Sequence, residues 1–210
     1  MPTNLLTRLG RLLSPPGALP AVAPAPIAAP ANLQRCTVAA GCFWGVEHLF
    51  RRRFPPGSGV VDIQVGYMGG ATASPSYEAV CGGATGHAEA ATVVFDPARV
   101  SYARLLAFFF RMHDPTTEGR QGPDVGPQYR SAIFVYSDEQ EATARRVRDL
   151  ANGDGWWKGG VRTEVVRAGD WWPAEEYHQR YLTRREGGYE CPSHFVRDFA
   201  PLEMEEEAGP

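Results

Sequence analysis

The stretch Cys36-Thr-Val-Ala-Ala-Gly-Cys-Phe-Trp-Gly-Val-Glu-His-Leu-Phe50 holds the two elements from which the fold can be read. Cys36–Ala40 is a short run of small, mostly apolar residues and reads as a buried strand. Gly41 breaks it. Phe43, Val46, Glu47, Leu49 and Phe50 then give an amphipathic helical pattern, closed by Arg51–Arg53 and the Pro55-Pro56-Gly57 stop. A strand passes directly into a helix, and Cys42 stands at the junction.

Outward from this junction, Val60–Gly66 alternates as a strand and Ala90–Phe95 reads as another. A glycine-rich loop from Tyr67 to Glu89 separates them, with a short helix near Ser76–Val80. Ser101 can cap a helix through Leu105, Leu106 and Phe109 toward His113. A second loop, Asp114–Tyr129, leads into the strand Ser131–Tyr136, and Ser137 with Gln140 reads as a capping box for a helix toward Leu150. A strand near Thr163–Arg167, a helix from Ala174 to Arg185 and an irregular C-terminus complete the pattern. Strands and helices mix without strict alternation, which predicts an α+β, two-layer sandwich. Loops this long are functional or disordered, and these two are too aromatic for disorder.

The 210 residues fit one domain with a real core, and 43% hydrophobic with 21% charged residues is a globular balance. A net charge of -3 supplies no basic field for nucleic acid, and no apolar run is long enough to span a membrane. Residues 1–32 are rich in alanine and proline and read as a disordered extension ahead of a single domain over 33–210, mobile from about residue 186. Leu5, Leu6, Arg8, Arg11 and Leu12 are weakly amphipathic, but the prolines after Leu13 spoil a secretory signal. Cys36, Cys42, Cys81 and Cys191 are too few and scattered for a disulfide scaffold, and no CxxC occurs. Reduced, catalytic or redox-active cysteines in a cytoplasmic protein are expected.

A thiol at a helix start faces unpaired backbone N–H groups and the positive end of the dipole, which predicts a lowered pKa for Cys42. Gly41 allows the tight turn, Gly45 keeps one face clear, and Phe43 with Trp44 offers an apolar wall for a methyl-sized group. A lone cysteine is more often an inert core residue; the two flanking glycines and the aromatic pair reverse that reading here. Glu89 precedes an apolar strand, where desolvation would keep it protonated as a general acid. A strand-end carboxylate satisfied by backbone donors is an equal reading of the same residue. Tyr77 and Tyr129 can offer phenolic hydroxyls to a polar oxygen or simply pack, and Asp124 can anchor its loop. His48, His113, His178 and His194 show no ligand spacing and read as surface or capping residues.

Three rival chemistries are weaker. His87-Ala-Glu89 matches half of a zinc deaminase site, but the Pro-Cys-x-x-Cys partner is missing. A cysteine hydrolase or acyltransferase needs a histidine base, for which His87 is the candidate. A redox-sensing module explains Cys42 and Cys191 but not the tyrosine, glutamate and aromatic residues.

Seven motifs, Gly41-Cys-Phe-Trp-Gly45, Gly66-Tyr-Met-Gly-Gly70, Ser76-Tyr-Glu-Ala-Val-Cys81, Thr85-Gly-His-Ala-Glu89, His113-Asp-Pro115, Gln128-Tyr-Arg-Ser131 and Ala174-Glu-Glu-Tyr-His-Gln179, together resemble the A-type peptide methionine sulfoxide reductases. The resemblance covers about residues 36–192, in the family's order. It implies a ferredoxin-like plait as the core of the sandwich, long active-site loops and an irregular C-terminal tail. It implies that the Cys42 thiolate attacks a methionine S-sulfoxide, free or in protein, while Glu89, helped by Tyr77 and Tyr129, protonates the oxygen. Phe43 and Trp44 would hold the ε-methyl, and Asp124 would support the site. Cys42 would become a sulfenic acid, resolved by Cys191 with Cys81 as fallback, and thioredoxin would reduce the disulfide. No cofactor and no metal is implied, and a monomer is expected. Two prolines, Pro123 and Pro127, depart from the pattern around Asp124 by removing backbone donors. Only one cysteine, Cys191, stands in the C-terminal stretch, where some members carry two.

Overall fold

The computed structural model describes residues 30–153 and 156–202, so nearly all of the expected N-terminal extension lies outside the described residues. In chain order the elements are β1 (Gln34–Ala40), α1 (Phe43–Arg53), β2 (Val60–Met68), α2 (Tyr77–Cys81), β3 (Ala88–Phe95), α3 (Tyr102–Met112), β4 (Arg120–Gln121), β5 (Asp124–Val125), β6 (Ser131–Val135), α4 (Asp138–Gly153), β7 (Glu164–Arg167), β8 (Trp172–Pro173) and α5 (Tyr181–Arg184). Six strands form one mixed sheet in the order β7-β6-β1-β3-β2-β8. The β6–β7 pair is parallel and the other pairs are antiparallel. The class is α+β, as expected.

The strands alternate, and the alternation sorts the two faces. Val38 and Ala40 of β1, Ala91 and Val93 of β3 and Ile133 of β6 point to one side. There they meet Phe43, Val46 and Phe50 of α1, Leu105, Leu106 and Phe109 of α3, and Val147 of α4. The opposite face, with Ala39, Met68, Ala90 and Phe134, is covered by Trp171. Buried Thr37 on that face shares its hydroxyl with Thr92 at 2.8 Å and Tyr136 at 2.7 Å, so no polar cost remains.

The caps predicted at Ser101 and Ser137 form, and Ser76 supplies a third. Ser76 Oγ accepts the Ala79 N–H at 3.3 Å, and Ser101 Oγ accepts the Arg104 N–H at 3.2 Å. Ser137 Oγ accepts the Gln140 N–H at 3.2 Å, but Gln140 reaches back to the N–H of Tyr136, one residue earlier than a capping box would.

Two segments differ from expectation. The helix expected over Ala174–Arg185 is instead a 3-10 turn at Glu176–His178, a left-handed Arg180 (φ 55) and the single turn α5. The Gln179 side chain is the reason. Its amide accepts the Val65 N–H at 3.0 Å and donates to Val65 O and Ala174 O, both at 2.9 Å, prolonging the sheet with a side chain where a helix would turn away. The second long loop contains the hairpin β4–β5, turned by Gly122 (φ 54) and Pro123. A proline in that turn position gives up no ladder hydrogen bond, so the departure at Pro123 is absorbed locally.

The C-terminal stretch is irregular, as expected, yet it lies against the domain. Cys191 is 2% and Leu202 1% exposed, the Arg197 N–H donates to Arg111 O at 3.0 Å, and Phe199 stacks on Trp156. Among the described residues no helix is long and apolar enough to cross a membrane.

Candidate active site

Cys42 is the N-cap of α1, reached through Gly41 in a left-handed conformation (φ 86). The N–H groups of Trp44 and Gly45 face its sulfur and favour thiolate, although no capping hydrogen bond closes. Burial wins instead. The thiol is 7% exposed, and desolvation pushes its pKa well above the usual thiol value, with the charges of Glu89 and Asp124 adding to the rise. This corrects the expected lowering. A helix terminus is worth about 0.3–1 kcal/mol, whereas full burial shifts a pKa by up to about 3–5 units at about 1.4 kcal/mol each. In the unliganded protein Cys42 is a protonated thiol.

Glu89 sits on β3 with its side chain on the helix-bearing face, 1% exposed. Its Oε2 accepts the N–H of Phe43 at 3.0 Å, which brings the carboxyl within one residue of the nucleophile. Burial raises its pKa to about 8; the Phe43 N–H opposes this and Asp124 adds to it. Both sequence readings of this residue are therefore realised at once: it is satisfied by a backbone donor, and it is a neutral acid near pH 7.

A second carboxyl is set the opposite way. Glu175 accepts the Tyr67 O–H at 2.8 Å on one oxygen and the Tyr77 N–H at 2.9 Å on the other. Burial would raise it, but these donors and its own backbone N–H outweigh that and hold it below the ordinary carboxylate value. Glu175 thereby fixes the start of α2, and with it the Tyr77 hydroxyl, which contacts the Cys81 thiol. Tyr129 feels Glu89, Cys81, Cys42 and Asp124, placing it on the same charge cluster. Burial raises both phenols, so Tyr77 and Tyr129 are hydroxyl donors at neutral pH.

The apolar wall is held by a buried imidazole. Trp44 Nε1–H donates to His178 Nδ1 at 3.0 Å, and the Trp44 ring stacks on Tyr181 with centroids 3.8 Å apart. Phe43 packs between Tyr67 at 5.9 Å and His178 at 5.1 Å. His178 is 1% exposed, which overturns its reading as a surface or capping residue; His113, 0% exposed, is no surface residue but does cap the C-terminus of α3. His113 bridges Phe109 O at 2.7 Å and Ser131 Oγ at 2.8 Å. His87 is clamped as well: Nδ1 accepts the Gly70 N–H at 3.1 Å and Nε2 bonds to Thr72 O at 2.8 Å. With both nitrogens engaged in its own loop, His87 is no base for Cys42.

Asp124, on β5, accepts the Tyr189 O–H at 2.8 Å, and its other oxygen is buried without a partner. Cys191, two residues after Tyr189, lies 3.5 Å from Gln121 O. Gln121 is itself packed so tightly on Gly41 that a Cβ there would stand 2.5 Å from the Gln121 Cβ. One residue thus touches both the turn into Cys42 and the Cys191 thiol. Cys36 is fully buried in β1, and Cys81 is exposed at the end of α2. Among the described residues no group of His, Cys, Asp and Glu has a metal-binding arrangement.

Sequence reasoning brought Cys42, Glu89, Tyr77, Tyr129, Asp124, Cys191, Phe43 and Trp44 forward, and the fold gathers all eight around the start of α1. It missed Tyr67, Glu175, His178, Tyr189 and Gln121. The signal available was Ala174-Glu-Glu-Tyr-His-Gln179, a polar motif read as a helix although its side chains are spent on tertiary hydrogen bonds.

A family model described as peptide methionine sulfoxide reductase matches residues 34–206. The chain is 51% identical over 157 residues, 75% of its length and 93% of the other's, to the peptide methionine sulfoxide reductase MsrA of Methanoculleus marisnigri. It is similar to Mxr1 of Saccharomyces cerevisiae in reduced form (TM-score 0.75, 39% identity, 80% of this chain and 94% of that one). It is also similar to Mxr1 in complex with Trx2 (TM-score 0.57, 26% identity, 84% and 99% covered). With a family model matching residues 34–206 and a curated relative 51% identical over 157 residues, the chain belongs to the peptide methionine sulfoxide reductase family.

Proposed function

We propose that the protein reduces methionine S-sulfoxide, free or in protein chains, to methionine through a sulfenic acid on Cys42, and so repairs oxidatively damaged proteins. The observation that carries this reading is Glu89, a neutral carboxylic acid at physiological pH, bonded to the N–H next to the nucleophile. The reaction needs one thiol and no outside proton. Glu89 donates its proton to the sulfoxide oxygen, Cys42 sulfur attacks the substrate sulfur, and the Cys42 proton replaces the one given up. The oxygen passes to Cys42 as S–OH, the substrate S–O bond breaks, and methionine leaves. Tyr77 and Tyr129 hydrogen-bond the oxygen while charge develops on it. Phe43 and Trp44 hold the ε-methyl and favour one epimer.

Cys191 is the resolving thiol in this reading, because Gln121 links it to Gly41, whereas Cys81 is exposed at the end of α2. The complex of the yeast relative with Trx2 supports a thioredoxin as reductant of the Cys42–Cys191 disulfide. Asp124 supports the site by holding Tyr189. The strand order β6-β1-β3-β2, with α1 and α3 on one face, supports a ferredoxin-like plait as the core. Scattered cysteines fit a reducing compartment, and we place the enzyme in the cytoplasm as a monomer. Single-turnover reduction of the two purified sulfoxide epimers tests the function: the S form is expected to react and the R form to stay intact, and equal rates on both would overturn the reading.

A further inference from the structure

The face that Gly45 leaves open is not empty. The imidazole of His194 lies on it so closely that a Cβ at Gly45 would stand 2.1 Å from Nδ1 and 3.0 Å from Cγ. The same ring reaches the end of β1, where Nε2–H donates to Ala40 O at 2.6 Å, two residues before Cys42. That bond fixes the tautomer and leaves Nδ1 buried with no partner. His194 also closes a turn with the resolving thiol's own residue, its backbone N–H donating to Cys191 O at 2.9 Å. On the other side this turn abuts the β4–β5 hairpin, since a Cβ at Gly122 would stand 1.9 Å from Ser193 Oγ and 3.7 Å from Cys191 Sγ.

We propose that His194 is a positioning residue for the second half of the reaction: its ring, seated on Gly45 and hooked to Ala40, holds the Cys191–His194 turn against the nucleophile's helix so that Cys191 meets the Cys42 sulfenic acid. The inference rests on Cys191 being the resolving thiol. In the step it serves, the Cys191 sulfur attacks the Cys42 sulfur and an S–S bond forms. The Cys42 S–O bond breaks, and the hydroxyl leaves with the Cys191 proton as water; Cys191 is oxidised and the sulfenic acid reduced. His194 touches none of the reacting atoms. It holds the Cys191 thiol in attack position on a Cys42 sulfenic acid from a distant part of the chain, and a misplacement of about 1 Å in such an encounter can cost on the order of 100-fold.

The test separates the two halves. Full-length His194→Ala and His194→Gln proteins are mixed with one equivalent of methionine S-sulfoxide and no reductant. Methionine formation is followed by rapid quench, Cys42 sulfenic acid by trapping with a 1,3-diketone, and disulfide by non-reducing mass analysis. For His194→Ala, methionine is expected to form within about twofold of the unaltered rate, while disulfide forms about tenfold or more slowly and trapped sulfenic acid accumulates. His194→Gln, whose amide N–H can still reach Ala40 O, is expected to recover most of the disulfide rate. Disulfide formation at the unaltered rate in His194→Ala, or an equal slowing of both halves, overturns the proposal. Cys191→Ser in parallel reports on the premise: if it fails to prolong the sulfenic acid, Cys191 is not the resolving thiol and the assignment of His194 falls with it.

Discussion

The Glu89 carboxyl and the Phe43 amide, 46 residues apart in sequence, meet in a 3.0 Å hydrogen bond that ties the second residue of β3 to the first turn of α1. This contact places the acid beside the nucleophile, and the burial it accompanies keeps that acid protonated to about pH 8. The pair is therefore set for proton donation in the unliganded protein.

The first prediction concerns pH. A carboxyl with a raised pKa donates below that pKa and loses its proton above it. The single-turnover rate of methionine formation is expected to fall as pH rises through about 8. Glu89→Gln should slow this step roughly 100-fold or more and remove the fall. A profile of Glu89→Gln that still breaks near the same pH would assign the break to another group.

Cys42→Ser should form no methionine at all. Cys191→Ser should release one methionine per protein molecule and then stop, even with thioredoxin present. Counting methionine against enzyme in the presence and absence of reductant decides both.

Glu175→Ala removes the acceptor of the Tyr67 O–H and the Tyr77 N–H. Leaving two such donors unmade should cost about 1–3 kcal/mol each at most, read as a lower denaturant midpoint. It should also raise KM, because the Tyr77 hydroxyl loses its anchor. An unchanged midpoint would show that water replaces the carboxylate without cost.

His113 gives a stability prediction with a definite sign. Burial lowers its pKa to about 3 in the folded chain, so the unfolded chain binds the extra proton first. Its contribution is complete above the ordinary histidine value and is lost as pH falls from there toward 3, amounting to several kcal/mol at the limit. Urea unfolding at pH 7 and pH 4 should show the loss, and His113→Asn should show a shallower one between the same two pH values.

The elements with strong local signals were legible. Gly41 between an apolar run and an amphipathic one marks the β1–α1 junction, and Ser101 and Ser137 mark helix starts because capping is a contact within four residues. The conformation of residues 174–185 was not legible, since the pattern is helical but the Gln179, Glu175 and His178 side chains are claimed by β2, Tyr67 and Trp44. Nothing in a window of a few residues reports such a claim.

The sequence by itself determined that a cysteine starts a helix beside two glycines and two aromatics, and that an acid heads a buried strand. Only the tertiary structure decided which way their protons lie. Desolvation depends on how many layers close over a group, and at Cys42 it overrides the helix-terminus field that the local sequence predicts. It likewise decided that the space beside Gly45 belongs to His194, from a segment 149 positions later in the chain, for which no local pattern gives a sign.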